Sequence, residues 1–343
     1  AQIDKPNLHF NTKLYTGTDA NLSITGVNFQ PDLTWIKSRS ATGAHQLMDA
    51  VRGAAKRLSS NSSGVEDAAN GLLSFDTDGF SMGNSSTSHN MNGSGVTYVS
   101  WNWKAGNSAG SSNTDGSITS TVSANTTAGF SIVSYTGTGA NATVGHGLGA
   151  VPKLVITKNR SNVHSWGVYH ASVGNTKSTP LDDNLAAQTN SAYWNNTTPT
   201  SSVFTVSTGN DVNKSGDNMI AYCFVEKKGF SKFGSYTGNS STDGTFIYTG
   251  FKPAFVIFKS TGGTESWSMV DNKRDTDNVV KNQLFPNLNA AEETSNNVMD
   301  FCSNGFKMRN SDTRYNSSSY TYMYMAFAEN PIVGSNNIPA TAR

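Results

Sequence analysis

Charge is what this chain has least of. Only 14% of its 343 residues are Asp, Glu, Lys or Arg, and 25 basic against 24 acidic side chains leave a net charge of +1. A nucleic-acid binder needs a basic face to neutralise phosphates, so that class is excluded. Cysteine is nearly absent: Cys223 and Cys302 are the only two, occupy unmatched places, and read as free thiols rather than a disulfide. No apolar run approaches the length of a membrane span, and the opening of the chain lacks the blocks of a signal peptide. Ala1 is expected where an initiator methionine has been removed, and nothing calls for secretion through a cellular pathway. His9, His45, His89, His146, His164 and His170 form no pair at alternate positions of a strand, and no cysteine lies at zinc-ligand spacing. Neither a metal nor a cofactor is therefore expected.

What is abundant is Gly, Ser, Thr and Asn, interrupted by short aromatic and β-branched runs, the composition of loop-rich all-β proteins. The runs recur. Tyr15-Thr16-Gly17, Tyr135-Thr136-Gly137 and Tyr236-Thr237-Gly238 each open a segment of about a hundred residues. Each is followed by a proline and an apolar run ending in lysine: Pro31-Asp-Leu-Thr-Trp-Ile-Lys37, Pro152-Lys-Leu-Val-Ile-Thr-Lys158 and Pro253-Ala-Phe-Val-Ile-Phe-Lys259. Eight residues past each lysine stands a large ring, His45, Trp166 or Trp267. The segments close on Tyr98-Val-Ser-Trp-Asn-Trp103, Ile220-Ala-Tyr-Cys-Phe224 and Tyr322-Met-Tyr-Met-Ala-Phe327.

This pattern predicts three tandem β-sandwich, jelly-roll-like domains in a row with little helix. The expected limits are 1–104, 129–228 and 229–333, with a Gly/Ser/Thr-rich linker at 105–128 and a tail at 334–343. The linker's second half, Ser117 to Val122, alternates and fits a strand. Units two and three adjoin directly and are expected to move together more than either does with the first. Leu33, Trp35 and Lys37 should share one face of a strand, with Thr34, Ile36 and Ser38 on the other. Leu47 to Leu58 has helical spacing, but its counterparts carry Gly174, Pro180 and Pro286, so a strand and long loop are expected there. Asp78-Gly79-Phe80 and Asn304-Gly305-Phe306 read as hairpin turns into strands.

Few motifs suggest chemistry. Gly106-Asn-Ser108-Ala-Gly110 has the spacing of a nucleophile elbow, but more Gly and Ser follow where a helix is needed, and it reads as linker. Gly145-His146-Gly147-Leu-Gly149 lacks the lysine and helix of a phosphate loop and reads as a turn. Asp76 and Asp78 resemble the start of a calcium loop and read as a plain turn. Asp49-x-x-Arg52 recurs as Asp271-x-x-Arg274, with His170 and Val173 between them, and fits an ion pair ordering the loop that follows. Trp35, Trp166, Trp267, Trp101, Trp103, Phe224 and Phe327 are expected in the repeat core. Tyr193 and Trp194, in a polar loop-like stretch, are the candidates for glycan or receptor contact.

Several runs carry a wider resemblance: Ile3-Asp-Lys-Pro6, Phe10-Asn-Thr-Lys-Leu-Tyr-Thr-Gly17, Phe29-Gln-Pro-Asp-Leu-Thr-Trp-Ile-Lys37, Asp49-Ala-Val-Arg-Gly53, Ser74-Phe-Asp-Thr-Asp-Gly-Phe80, Trp101-Asn-Trp-Lys-Ala-Gly106, Val144-Gly-His-Gly-Leu-Gly149 and the ending Glu329-Asn-Pro-Ile-Val-Gly-Ser-Asn-Asn-Ile-Pro-Ala-Thr-Ala-Arg343. Together they resemble a repeat domain of marine bacteriophage virion proteins, over nearly the whole chain. The resemblance implies a surface-exposed structural protein made in the host cytoplasm, most directly a tail-fibre or appendage component in host attachment. It brings no catalytic residues, so no enzyme is expected. It leaves open a capsid decoration or head-fibre protein, and a lectin or glycan-active module. Expected partners are further copies of the chain, as a homo-oligomer with a trimer expected for a fibre, other virion proteins, and a host surface glycan or protein, with no nucleic acid and no membrane insertion.

Overall fold

A computed structural model describes residues 2–67, 72–84 and 91–330, with the backbone of Ile332–Val333 and Pro339–Ala340. His89 and most of the expected tail lie outside the described residues. The protein is almost all β, with antiparallel sheets throughout. Each unit stacks a long sheet on a small one, which is the sandwich that short alternating strands and frequent turns predict.

In the first unit the long sheet runs Phe10–Thr16, Thr97–Trp103, Leu33–Ser38, Gln46–Asp49. In the third it runs Ser231–Thr237, Thr321–Ala328, Pro253–Ser260, Ser268–Asp271. The first strand of a unit thus pairs with its last, and the second with the penultimate, as Leu22–Ile24 with Gly79–Met82 and Phe246–Tyr248 with Gly305–Met308. That winding is jelly-roll-like. The stretch after Leu47 forms a strand and a long loop, as expected from its counterparts.

The segment that composition marks as linker belongs to the second unit. Ser120–Asn125 pairs with Phe130–Thr136, and Ser111–Asn113 pairs with Ser120–Asn125, so that with Lys177–Pro180 and Gln188–Thr189 at the opposite edge the long sheet has eight strands. Small polar residues suit an outer strand as well as a linker, and the sheet edge supplies the hydrogen bonds that decide between them.

The units do not lie in a row. Each sandwich has its own interior, but the opposite face of all three long sheets meets in one shared core that includes Leu33, Trp35, Trp101, Trp103, Ile132, Leu154, Trp166, Phe224, Phe255, Trp267 and Phe327. Leu33 and Trp35 face this centre while Ile36 faces the sandwich interior, following the strand alternation. Both faces are therefore covered. At the centre, the last aromatic of each unit meets the other two: Trp103 lies 6.5 Å from Phe224 and 5.9 Å from Phe327, and Phe224 lies 6.1 Å from Phe327 between ring centroids. The first unit contacts both neighbours through this core and through hydrogen bonds on either side.

The Tyr-Thr-Gly repeat builds one corner of each sandwich. The tyrosine hydroxyl donates to a backbone carbonyl, that of Met91, Val212 or Tyr315. The glycine lets the neighbouring chain approach: a Cβ at Gly17, Gly137 or Gly238 would stand 2.2 to 2.3 Å from a carbonyl oxygen. The corner is closed by a buried asparagine, Asn92, Asn213 or Asn316, which accepts from the N–H of the residue after the glycine. Asn213 also donates to the carbonyls of Ala140 and Ser207.

Replacing Asn213 by Ala strands these buried groups, and should cost about 2–3 kcal/mol in urea unfolding. A loss below about 0.5 kcal/mol would show that the corner does not depend on it.

Candidate functional site

The ring that recurs eight residues after each lysine reaches across to the next unit. Trp166 in the second unit donates its indole N–H to the Ser59 carbonyl of the first at 2.9 Å. Trp267 in the third donates to Pro180 of the second at 2.8 Å. In the first unit His45 takes this place, with its Nε2 2.9 Å from the Phe285 carbonyl of the third. The Trp35 indole donates to His45 Nδ1 at 2.8 Å, which leaves Nε2 to carry the proton. A neutral histidine is thus an N–H donor in a tryptophan's position, and the three contacts run head to tail around a closed ring.

A second set of contacts follows the same direction. The Tyr222 hydroxyl donates to Asp49 at 2.8 Å, and the Trp101 indole donates to Asp271 at 3.0 Å. Each aspartate is fully buried and paired with the arginine three residues on, Arg52 at 2.5 Å and Arg274 at 2.6 Å. Those arginines reach Glu66 and Glu292, which in turn bind Arg160 and Arg39 of the adjoining unit. The Asp-x-x-Arg pairs therefore order their loops, as expected, and also carry the joints between units.

The third joint lacks every member of this network. Where the others have Asp, Arg and Glu, the second unit has His170, Val173 and Ala187. The facing positions in the third unit are Met325 instead of a Tyr or Trp donor and Thr261 instead of Arg. The backbone bond survives, with the Ala187 N–H on the Thr261 carbonyl as Glu66 is on Arg160 and Glu292 on Arg39. Because a lone buried charge costs several kcal/mol, loss of one member makes the rest a liability. His170 remains as a neutral donor to the Tyr324 carbonyl at 3.0 Å, accepting at Nδ1 from Ser172.

The other sequence candidates are also absorbed by the fold. All seven repeat aromatics are buried in the shared core. Trp194 is not a surface residue: it sits on a single helical turn, Ser191–Trp194, is 2% exposed, and donates to the Lys177 carbonyl. Asn190 caps that turn and so aims the indole into the sandwich interior beside Tyr169. Tyr193 is half-buried, with its hydroxyl on Asp211, so the pair offers no stacking platform. Asp78 accepts from the N–H groups of Gly26 and Asn28, which hold its carboxyl below the usual range, and Asp76 accepts from Ser74 and Ser81. Ser108 lies in a turn that leads to a strand, without the helix an elbow needs. His146 is a loop residue bonded to Leu148 and Thr200. Among the described residues no group of three His, Cys, Asp or Glu is placed to hold a metal.

Lys37, Lys158 and Lys259 are buried at matching positions, each amine on the carbonyl of the next residue. Burial pulls all three down to about 8. They are enclosed within the scaffold.

Two open features escaped the sequence reading. A groove of about 580 Å³ runs beside the first strand of the first unit, lined there by Phe10 to Leu14 and across it by Asn272, Lys273 and Glu329 of the third. In the second unit the matching strand edge is covered by Ser120–Asn125. The other feature is a pair of exposed rings, Phe246 and Tyr248, on the small sheet of the third unit. Only alignment of all three copies at that strand would have singled them out.

Fold and site together define an all-β scaffold of three sandwiches closed around one core. Residues 5–331 match the family described as a domain of unknown function, DUF7483, and the chain belongs to that family. One match thus spans all three units. No curated protein and no solved structure matches the chain.

Histidines at the joints make the scaffold acid-sensitive. Burial pulls His170 down to about 4 and holds His45 well below its ordinary value. On unfolding each regains a value near 6.5, so the unfolded chain binds protons that the native one refuses and stability falls as pH drops from about 6.5 towards 4. Asp32 works the other way: burial raises it to about 6, so between pH 4 and 6 it favours the native state as pH falls. The double variant Trp35→Ile/His45→Trp installs what the other units carry. It should fold and lose part of the acid sensitivity in urea melts at pH 7 and pH 5, whereas His45→Trp alone strands the Trp35 N–H and is less stable. An unchanged acid slope in the double variant would remove His45 from the account.

Proposed function

We propose that the chain is a surface-exposed, non-enzymatic structural protein of a bacteriophage particle, acting in a tail fibre or appendage that contributes to host attachment. The resemblance of its sequence to virion proteins supports this reading. The observation that carries it is the use of reactive side chains. The Asp-Arg pairs, His45, His170 and the rings at matching register hold the three units together, and the three buried lysines are enclosed within the scaffold. What remains outward is a rigid scaffold bearing loops and small-sheet faces, an arrangement suited to presenting contact surface. Its partners on this reading are other virion proteins, further copies of the chain, and a host glycan or protein.

A second reading, a capsid decoration or head-fibre protein, is favoured by the head-to-tail ring of units. Three related units in a closed ring within one chain suit a threefold position on a shell. Cryo-electron microscopy of the particle, with and without a bound antibody fragment, separates the two. Density on a tail appendage is the expected result. Density over threefold shell positions would support decoration, and particles without the chain would overturn both readings.

A further inference from the structure

The small sheet of the third unit has an outward face unlike its counterparts. Strand pairing places Phe246 opposite Lys307 and Lys307 opposite Asp300, and places Tyr248 opposite Gly305 and Gly305 opposite Cys302. Directly paired residues share a face, as do residues two apart on a strand. The intervening Ile247, Phe301 and Phe306 fill the sandwich interior. Phe246 is 45% and Tyr248 65% exposed, so two aromatic side chains leave one face of the strand from backbone positions about 7 Å apart.

The fold does not need them there. By the same register the first unit carries Ser23 and Thr25 at these positions, and the second carries Thr143 and Gly145. In the first unit the face is a closed polar ladder, with the Ser23 and Ser81 hydroxyls bonded to each other and Ser81 and Ser74 donating to Asp76. Exposed rings that two equivalent copies dispense with are an addition to the scaffold.

The Phe246 ring leans over a glycine of the neighbouring strand, and the Tyr248 phenol reaches towards the turn that follows its own strand. The Phe246 ring tip lies 3.0 Å from where a Gly305 Cβ would stand, and the Tyr248 phenol 3.5 Å from that of Gly250. Beside them lies a charge cluster. Lys307 binds Asp243 at 2.5 Å, and Arg309 binds Asp300 at 2.5 Å and Asp243 at 3.4 Å. Two acids and two bases leave no net charge, while the Asp243 side chain, 77% exposed, keeps acceptor capacity towards solvent.

The geometry assigns this face as a binding site for a neutral oligosaccharide, with Phe246 and Tyr248 stacking on the apolar face of a sugar and Asp243, Lys307 and Arg309 bonding its hydroxyls. Flat rings suit the C–H face of a sugar, and a balanced set of donors and acceptors suits hydroxyls. A phosphate or sulfate ligand would call for net positive charge. The assignment gives the attachment reading a ligand class and rests on it only for the biological setting.

The test is calorimetric titration of the purified chain with neutral hexasaccharides of glucose, galactose, mannose and N-acetylglucosamine, beside dextran sulfate. At least one neutral probe should bind. The variant Phe246→Ser/Tyr248→Thr, which installs the first unit's residues, should keep the wild-type melting temperature and weaken binding by at least about tenfold. No binding by any neutral probe, binding by dextran sulfate alone, or equal binding by the variant would overturn the assignment. Particles carrying the variant separate the two ideas: unchanged adsorption to host cells despite lost sugar binding would count against the attachment role and leave the site standing.

Discussion

Trp103, Phe224 and Phe327 end the three long sheets on one another, and the arrangement of the molecule depends on that meeting. A long sheet stacked on one small sheet has only one of its faces covered. The other face of each unit is a broad apolar surface that water would expose unless the other two units cover it. Burying a Phe or similar side chain contributes about 1.5–3 kcal/mol, so a core built by three units outweighs the single hydrogen bonds around it. The lateral contacts then set direction. Apolar packing alone does not specify which unit follows which, whereas the indole and imidazole donors find their carbonyls only in one cyclic order.

The joints also show how such a ring tolerates change. Two joints keep a buried Asp-Arg-Glu-Arg network bonded to a Tyr or Trp across the interface. The third replaces every member with an uncharged residue, and His170 satisfies a backbone carbonyl in place of the lost pair. Partial loss would leave a charge buried without its partner, so the change is coherent across two units that are far apart in sequence.

Much of the fold was legible in the chain. The three-copy register located the long-sheet strands and the seven core aromatics, and the alternation of Leu33 and Trp35 against Ile36 gave their faces. Closure into a ring was not legible, because tandem repeats are equally consistent with beads on a string. Its one trace was the ring placed at His45, Trp166 and Trp267, whose N–H is the shared property although the residue type changes. Trp194 misled because Ser191-Ala-Tyr-Trp194 is polar in composition, and composition says nothing of the capped turn that points the indole inward. Phe246 and Tyr248 were not legible because a strand with rings on both sides of Ile247 gives no sign of which face is outward, and Ser23-Ile24-Thr25 and Thr143-Val144-Gly145 carry no ring at these positions.

The three units are stabilised as one body through the shared core. Native-state hydrogen exchange on Phe327→Ala tests it most directly, read at the amides of Gly17, Gly137 and Gly238, which are bonded alike in the three units. Protection should fall at all three glycines. Loss confined to Gly238, with Gly17 and Gly137 unchanged, would contradict it.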